Sequence, residues 1–221
     1  MTEMIVTIDG PSGSGKSTAA RTLATRLGLE YLDTGAMYRA VAWSLHRAKI
    51  DPADEAAVAQ HLSHFHLEMH GNSVCINEEP IPDSELRSPE NSLASSAAAR
   101  FPHIRRFLIS LQQQIAKGRR MICEGRDQGT VVFPKAQVKI FLTASPEARA
   151  ERRWQELKQK GNPIGFEQVL ANQIDRDTRD SSQNDGRLIP AENAIVLDTT
   201  GMPLEAVLDR ISQEIQRCLH G

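Results

Sequence analysis

Aromatic residues are scarce in this 221-residue chain, at 5%, and are not interleaved with basic ones. That removes the stacking platforms on which single-stranded nucleic acids are held. An excess of either charge is also missing: 26 Lys and Arg stand against 28 Asp and Glu, a net charge of −2. The chain therefore has no general attraction for nucleic acid or an anionic membrane, and any affinity for phosphate must be local. The three cysteines, Cys75, Cys123 and Cys218, are odd in number and lack paired spacing. This argues against a disulfide framework and against zinc, and fits a reducing cytoplasm. No apolar run approaches the roughly 18 residues needed to cross a bilayer, and Met1-Thr2-Glu3 lacks the basic start of a signal peptide. A cytoplasmic protein without nucleic-acid or membrane partners is expected. With no internal repeat, long linker or low-complexity tract, the length suits one core carrying small inserted lobes.

What is present begins one residue after the apolar run Met4-Ile5-Val6-Thr7-Ile8. Gly10-Pro11-Ser12-Gly13-Ser14-Gly15-Lys16-Ser17 fits Gly-x-x-x-x-Gly-Lys-[Ser/Thr], a phosphate-binding loop between a strand and a helix. Its glycines let successive N–H groups turn inward around a triphosphate, Lys16 reaches the outer phosphates, and Ser17 can ligate Mg²⁺. Ala20, Leu23, Ala24 and Leu27 then recur at helical spacing, so the positive end of a helix starting at the loop faces the phosphates.

Leu29 to Asp33 reads as a second strand, parallel to the first. Asp33 at its end either supports the waters of Mg²⁺ or caps the next helix, Thr34 to about Ala48, and both roles can hold. Arg39 lies in the first turns of that helix, on the phosphate side or solvated. A helix over Asp54 to Leu62 precedes two alternating runs, Phe65 to Met69 and Ser73 to Asn77, joined by His70-Gly71-Asn72 as a hairpin. A small β insertion is thus expected at about 64–90. His61, His64, His66 and His70 crowd there without cysteine or clear ligand spacing, so no metal site is expected among them. A long helix from Pro102 to Lys117 leads to the buried strand Met121-Ile122-Cys123, followed by the polar stretch Glu124 to Gly129. Val138 to Leu142 and Ala194 to Leu197 complete five strands. Between them lie a helix from Pro146, with Arg149, Arg152 and Arg153, and a second over Phe166 to Ser181. In the latter, Asp175 with Arg179 and Arg176 with Asp180 are spaced i,i+4, and a solvated face accounts for them. The last helix carries Leu204, Val207, Leu208, Ile211, Ile215 and Leu219 on one face.

Strands alternating with helices predict a doubly wound α/β sheet, with ligands at the carboxyl ends of its strands. Arginines near those ends suit phosphoryl transfer, where catalysis is mostly positioning and charge stabilisation. A phosphate acceptor, with its second pKa of about 6, would need no general base at neutral pH. Other readings are a kinase for a different nucleoside monophosphate such as UMP, or a nucleotide-gated NTPase switch. The guanine-reading Asn-Lys-x-Asp motif of GTPase switches is absent from the sequence.

The phosphate loop together with Leu32-Asp33-Thr34-Gly35-Ala36-Met37-Tyr38-Arg39 and Glu124-Gly125-Arg126-Asp127-Gln128-Gly129-Thr130-Val131-Val132-Phe133-Pro134 resembles bacterial cytidylate kinase across nearly the whole chain. The resemblance implies a P-loop nucleoside monophosphate kinase fold: a five-stranded parallel sheet with helices on both faces and a small β insertion. It implies a single domain over 1–221, with a monophosphate-binding region at about 64–100 and a lid at about 150–183. ATP would donate its γ-phosphoryl group to CMP or dCMP with Mg as cofactor, in a monomer. Lys16, Arg39 and Arg126 would be catalytic. Gly10, Pro11, Ser12, Gly13, Ser14, Gly15, Lys16, Ser17 and Thr18 would bind ATP, with Ser17 as metal ligand. Thr34, Tyr38, Arg39, Ser96, Arg105, Arg126, Asp127, Arg176 and Asp180 would bind CMP: Arg39 and Arg126 on its phosphate, Ser96, Arg105 and Asp127 on cytosine, Arg176 and Asp180 on sugar or phosphate. Either Arg152 or Arg153 would close over ATP. One departure stands out: Gln183 occupies a position usually held by arginine, and either Arg187, where the family pattern usually has proline, replaces the charge through an altered loop or substrate binding is weaker.

Overall fold

The structure, a computed structural model, describes residues 3–70, 73–159, 161, 163–181 and 186–220. In chain order its elements are β1 (Met4–Asp9), α1 (Lys16–Leu27), β2 (Glu30–Asp33), α2 (Thr34–Arg47), α3 (Glu55–Leu62), β3 (Leu67–His70), β4 (Ser73–Ile76), β5 (Glu79–Pro80), α4 (Asp83–Leu86), α5 (Pro89–Ala98) and α6 (Pro102–Ala116). There follow β6 (Arg120–Gly125), a single π-helical turn (Gln128–Val132), β7 (Val138–Thr143), α7 (Pro146–Gln159), α8 (Phe166–Ser181), β8 (Ile195–Asp198) and α9 (Leu204–His220). The chain divides into two compact units, Met1–Leu32 with Ala116–Gly221, and Asp33–Ile115.

The first unit is built on a five-stranded sheet of order β2-β6-β1-β7-β8. Here β1 pairs in parallel with β6 on one side, Met4 opposite Arg120 through Asp9 opposite Gly125, and with β7 on the other. β7 pairs in parallel with β8. All six residues of β1 are buried, as a central parallel strand covered on both faces requires. On one face Ala20, Leu23 and Ala24 of α1 and Val207, Leu208, Ile211 and Ile215 of α9 join Val6, Ile8, Ile140 and Leu142 of the sheet in a single core. Each such large side chain contributes roughly 1.5–3 kcal/mol of burial free energy. This winding, to either side of β1, sets the carboxyl end of β1 at the point where ligands bind in such sheets. The β6 strand is longer than its apolar run suggests. The register carries on through Glu124 and Gly125, so Glu124 is a buried strand residue rather than part of a polar loop.

The second unit packs α2 against α4, α5 and β4, with Ala36, Met37, Ala40, Val41 and Leu45 fully inside. The side-chain amide of Asn91 on α5 ties the layers together by donating to the carbonyl oxygens of Leu86 and Arg39, at 2.9 and 3.1 Å. At the start of α2, Asp33 accepts the Ala36 N–H at 2.8 Å and pairs with Arg87 at 3.3 Å, so its capping role holds. The β insertion is a three-stranded antiparallel sheet, β3-β4-β5, where the sequence pattern predicts two strands. The third is two residues long and contains Pro80, which has no N–H for the ladder and so reads as a break. The expected hairpin residues Gly71 and Asn72 lie outside the described residues. Among the described residues no helix is long and apolar enough to cross a membrane.

Candidate functional site

The loop between β1 and α1 depends on its glycines. Gly10, Gly13 and Gly15 have φ of +152°, +76° and +88°, a region that side chains rarely adopt. A Cβ on Gly10 would stand 2.0 Å from the Leu142 carbonyl oxygen, and one on Gly13 would stand 3.0 Å from Arg149. Inside the loop, buried Lys16 donates to the Pro11 carbonyl at 3.1 Å. Burial first, then the charge of Arg126, lowers the pKa of Lys16 to about 7, with Glu124 opposing and Arg176 adding to the effect. A crowded, desolvated ammonium of this kind is stabilised by an arriving polyanion.

Two acids stand at the ends of neighbouring strands. Glu124 of β6 accepts from the Ser17 hydroxyl through both oxygens at 2.9 Å, and from the Tyr31 hydroxyl at 3.4 Å. Asp9 of β1 accepts the Gln128 and Gly129 N–H groups at 2.9 and 2.8 Å. Burial pushes the Asp9 carboxyl up to about 7, against the pull of those two amides. Between Glu124 and the π-helical turn lie Arg126 and buried Asp127, whose carbonyl accepts the Val131 and Val132 N–H groups. The hydroxyl of Ser17 and the carboxylate of Glu124 are hard oxygen donors, the chemistry that suits Mg²⁺.

Helices α7 and α8 bring further cations to the same loop. Arg149, buried, donates to the Ala144 and Ser12 carbonyls and pairs with Asp177 at 2.7 Å. Arg152 donates to the Gly13 carbonyl at 3.4 Å and to both oxygens of Thr199. Arg153, in contrast, is exposed and pairs with Glu156 within its own helix. The solvated-face expectation for α8 needs correction at Arg176 and Asp180, whereas Asp175 and Arg179 are exposed and Arg179 donates to the Asp175 carbonyl at 3.2 Å. Asp180 pairs with Arg126 at 2.9 Å, and the Arg176 guanidinium donates to the Ser12 hydroxyl at 3.4 Å. A partner offered by another element holds these side chains better than a solvated neighbour does.

In the second unit, Thr34 and Arg105 are buried, and Arg105 donates to the Tyr38 hydroxyl at 3.5 Å. Gly35 leaves room for Arg39, since a Cβ there would be 3.1 Å from the Arg39 Nη1 atom. The Ser96 hydroxyl donates to the Ser92 carbonyl at 3.1 Å. His61 bonds the Ser44 hydroxyl, and His66 meets Glu68. Arg187 is exposed, while Gln183 lies outside the described residues.

Sequence reasoning missed Asp9 and Glu124 as a partner of Ser17, and it named Arg149 without giving it a contact with the loop. An acid at the last or next-to-last position of each of two adjacent buried strands is the signal that could have drawn attention to the first two.

A family model described as cytidylate kinase matches residues 6–217. A cytidylate kinase of Fervidobacterium nodosum is 42% identical over 214 residues, covering 96% of this chain and 97% of its own. One from Thermotoga maritima is 43% identical over 207 residues, covering 93% and 94%. One from Shewanella loihica is 41% identical over 219 residues, covering 97% and 95%. In fold alone, the chain is similar to the crystal structure of an uncharacterized protein from Eubacterium ventriosum, with a TM-score of 0.52 at 11% identity over 97% of this chain and 99% of that one.

Proposed function

The chain belongs to the cytidylate kinase family, and from that premise we propose how it phosphorylates CMP: by transfer of the γ-phosphoryl group of ATP, in line, with dCMP as a second acceptor. The observation that carries this reading is the gathering of positive charge on Lys16. Arg126 and Arg176 both bear on its buried ammonium, and the loop around it turns at three glycines. Such a site is electrostatically incomplete until a polyphosphate enters, and the same cations then meet the charge spread over the transferring group.

In this reading Gly10, Pro11, Ser12, Gly13, Ser14, Gly15, Lys16, Ser17 and Thr18 hold the ATP phosphates. Arg152 serves as the lid arginine rather than Arg153, because it already reaches the Gly13 carbonyl of the loop. Mg²⁺ would be held by the Ser17 hydroxyl with Glu124 beside it, and supplies charge neutralisation on the phosphates. Arg39 and Arg126 take the phosphate of CMP. Asp127 accepts from the cytosine amino group, Arg105 and Ser96 donate to the ring acceptors, and Thr34 and Tyr38 line the nucleoside. Arg176 and Asp180 serve the sugar or phosphate. The acceptor phosphate is mostly dianionic at neutral pH and attacks without a base. We propose further that the β insertion forms the monophosphate-binding region and α7 with α8 the lid, in a cytoplasmic monomer. Free thiols and the balanced charge support that setting.

ADP release with Mg²⁺-ATP, measured against CMP, dCMP, UMP, AMP and no acceptor, tests the assignment. Turnover should be largely confined to the cytosine nucleotides and fall at least about a hundredfold in Asp127→Ala. Equal release without an acceptor would instead identify an NTPase.

A further inference from the structure

The turn after β6 carries Arg126 and Asp127, yet no glycine-built loop shapes it as the phosphate loop is shaped. It opens a single π-helical turn, in which the Val132 N–H reaches the Asp127 carbonyl and the Phe133 N–H reaches the Gln128 carbonyl at 2.7 Å. The first N–H groups of any helical turn have no partner inside it. Here those of Gln128 and Gly129 are taken one each by the two oxygens of Asp9, at 2.9 and 2.8 Å. Asp9 is 4% exposed and ends the central strand, immediately before Gly10. One side chain thus joins the strand that launches the phosphate loop to the turn that carries two acceptor-side residues. The approach is close: a Cβ on Gly129 would stand 2.9 Å from the Thr7 hydroxyl and 3.4 Å from an Asp9 oxygen.

We propose that Asp9 is a positioning residue for base selection, fixing the orientation of Asp127 by clamping the two amides that follow it. The inference rests on the reading that Asp127 recognises cytosine. The carboxylate geometry matters because it offers two acceptors to two adjacent donors. An asparagine would satisfy one amide and turn an NH₂ group towards the other. A recognition group displaced by a fraction of an ångström loses its discrimination before the fold is lost.

The test compares wild type, Asp9→Asn, Gly129→Ala and Asp127→Ala as full-length chains. For each, kcat/KM is measured for CMP and UMP, with KM for ATP and a melting curve. In Asp9→Asn the preference for CMP over UMP should fall about tenfold, through KM for CMP, while KM for ATP changes less than about twofold. Gly129→Ala, which pushes the same clamp apart from its other side, should lower the preference in the same sense and decides the matter if Asp9→Asn does not fold. A lower melting temperature with the preference intact would make Asp9 merely structural and overturn the proposal. So would a raised KM for ATP with the preference intact. If Asp127→Ala loses the preference and Asp9→Asn keeps it, only this inference falls. If Asp127→Ala itself keeps the preference, the base-reading assignment falls, and this inference with it.

Discussion

Two turns leave the carboxyl edge of the same sheet on adjacent strands, and they are made in opposite ways. After β1 the chain curls through three glycines with positive φ, and in the proposed reading its recognition groups are backbone N–H groups. After β6 no residue from Arg126 to Phe133 has positive φ. There the turn is held by a carboxylate from the neighbouring strand, and in the proposed reading recognition falls to the side chains of Arg126 and Asp127. A phosphate is a nearly symmetrical anion that any ring of N–H groups can hold, so a backbone cradle serves it. A base presents a directional pattern of donors and acceptors, which placed side chains can match. The backbone-built turn should therefore fail at a single substitution, whereas the side-chain-built one should lose function in steps.

The largest effect is expected from Gly10→Ala. The added methyl would stand 2.0 Å from a backbone carbonyl that cannot move without displacing β7. Strain of about 3 kcal/mol or more should follow, with a drop in melting temperature and loss of ATP turnover of at least about a hundredfold. Near-normal kcat/KM in this variant would show that the loop tolerates another path, and the contrast between the turns would be lost.

A pH experiment sharpens the same contrast, because each turn owns one buried titrating group near neutrality. Asp9, raised to about 7, faces Asp127 and Lys16. Lys16, lowered to about 7, faces Arg126, Arg176, Glu124 and Asp180. For Asp9 the folded state keeps a proton that the unfolded state has lost, so stability falls as pH climbs from about 4 to about 7. For Lys16 the unfolded state keeps the proton, so stability rises from about pH 7 to about 10. Together the two groups put a stability minimum near neutrality in the ligand-free protein, to be read from melting temperature against pH. A bound triphosphate should restore the Lys16 proton, with uptake of about half a proton at pH 7. Calorimetry of ATP binding in buffers of different ionisation enthalpy measures it. No uptake, and a flat alkaline limb, would mean that Lys16 is already charged in the empty loop.

The same division explains what could be read from the chain alone. The phosphate loop is legible because its glycines answer a backbone demand that few other residues meet. The α8 boundaries and the cap at Asp33 follow from helix periodicity and local chemistry. The π-helical turn has no composition of its own. Glu124 looks like loop because charge normally ends a buried strand, but here the ladder continues and the Ser17 hydroxyl meets the carboxylate. Asp180 of α8 sits four residues from Arg176, a plausible partner, and Asp177 has no basic residue at that spacing; only the fold reveals that Asp180 turns to Arg126 and Asp177 to Arg149. Charges announce their sign in a sequence but not their partner.

The smallest effect belongs to Arg187, which we propose supplies the charge that Gln183 lacks. Its side chain is exposed, so water and salt screen whatever it contributes to an acceptor phosphate. Arg187→Ala should raise KM for CMP by about threefold, leave KM for ATP and kcat unchanged, and shift stability by less than about 0.5 kcal/mol. The threefold effect should shrink as salt is raised from about 0.05 to 0.5 M, as a screened contact requires. A KM for CMP that does not move at low salt would mean that Arg187 does not stand in for the missing arginine. A loss above about a hundredfold would break the comparison from the other side. One exposed arginine would then matter as much as a loop glycine, and the acceptor side could not be a site that degrades in steps.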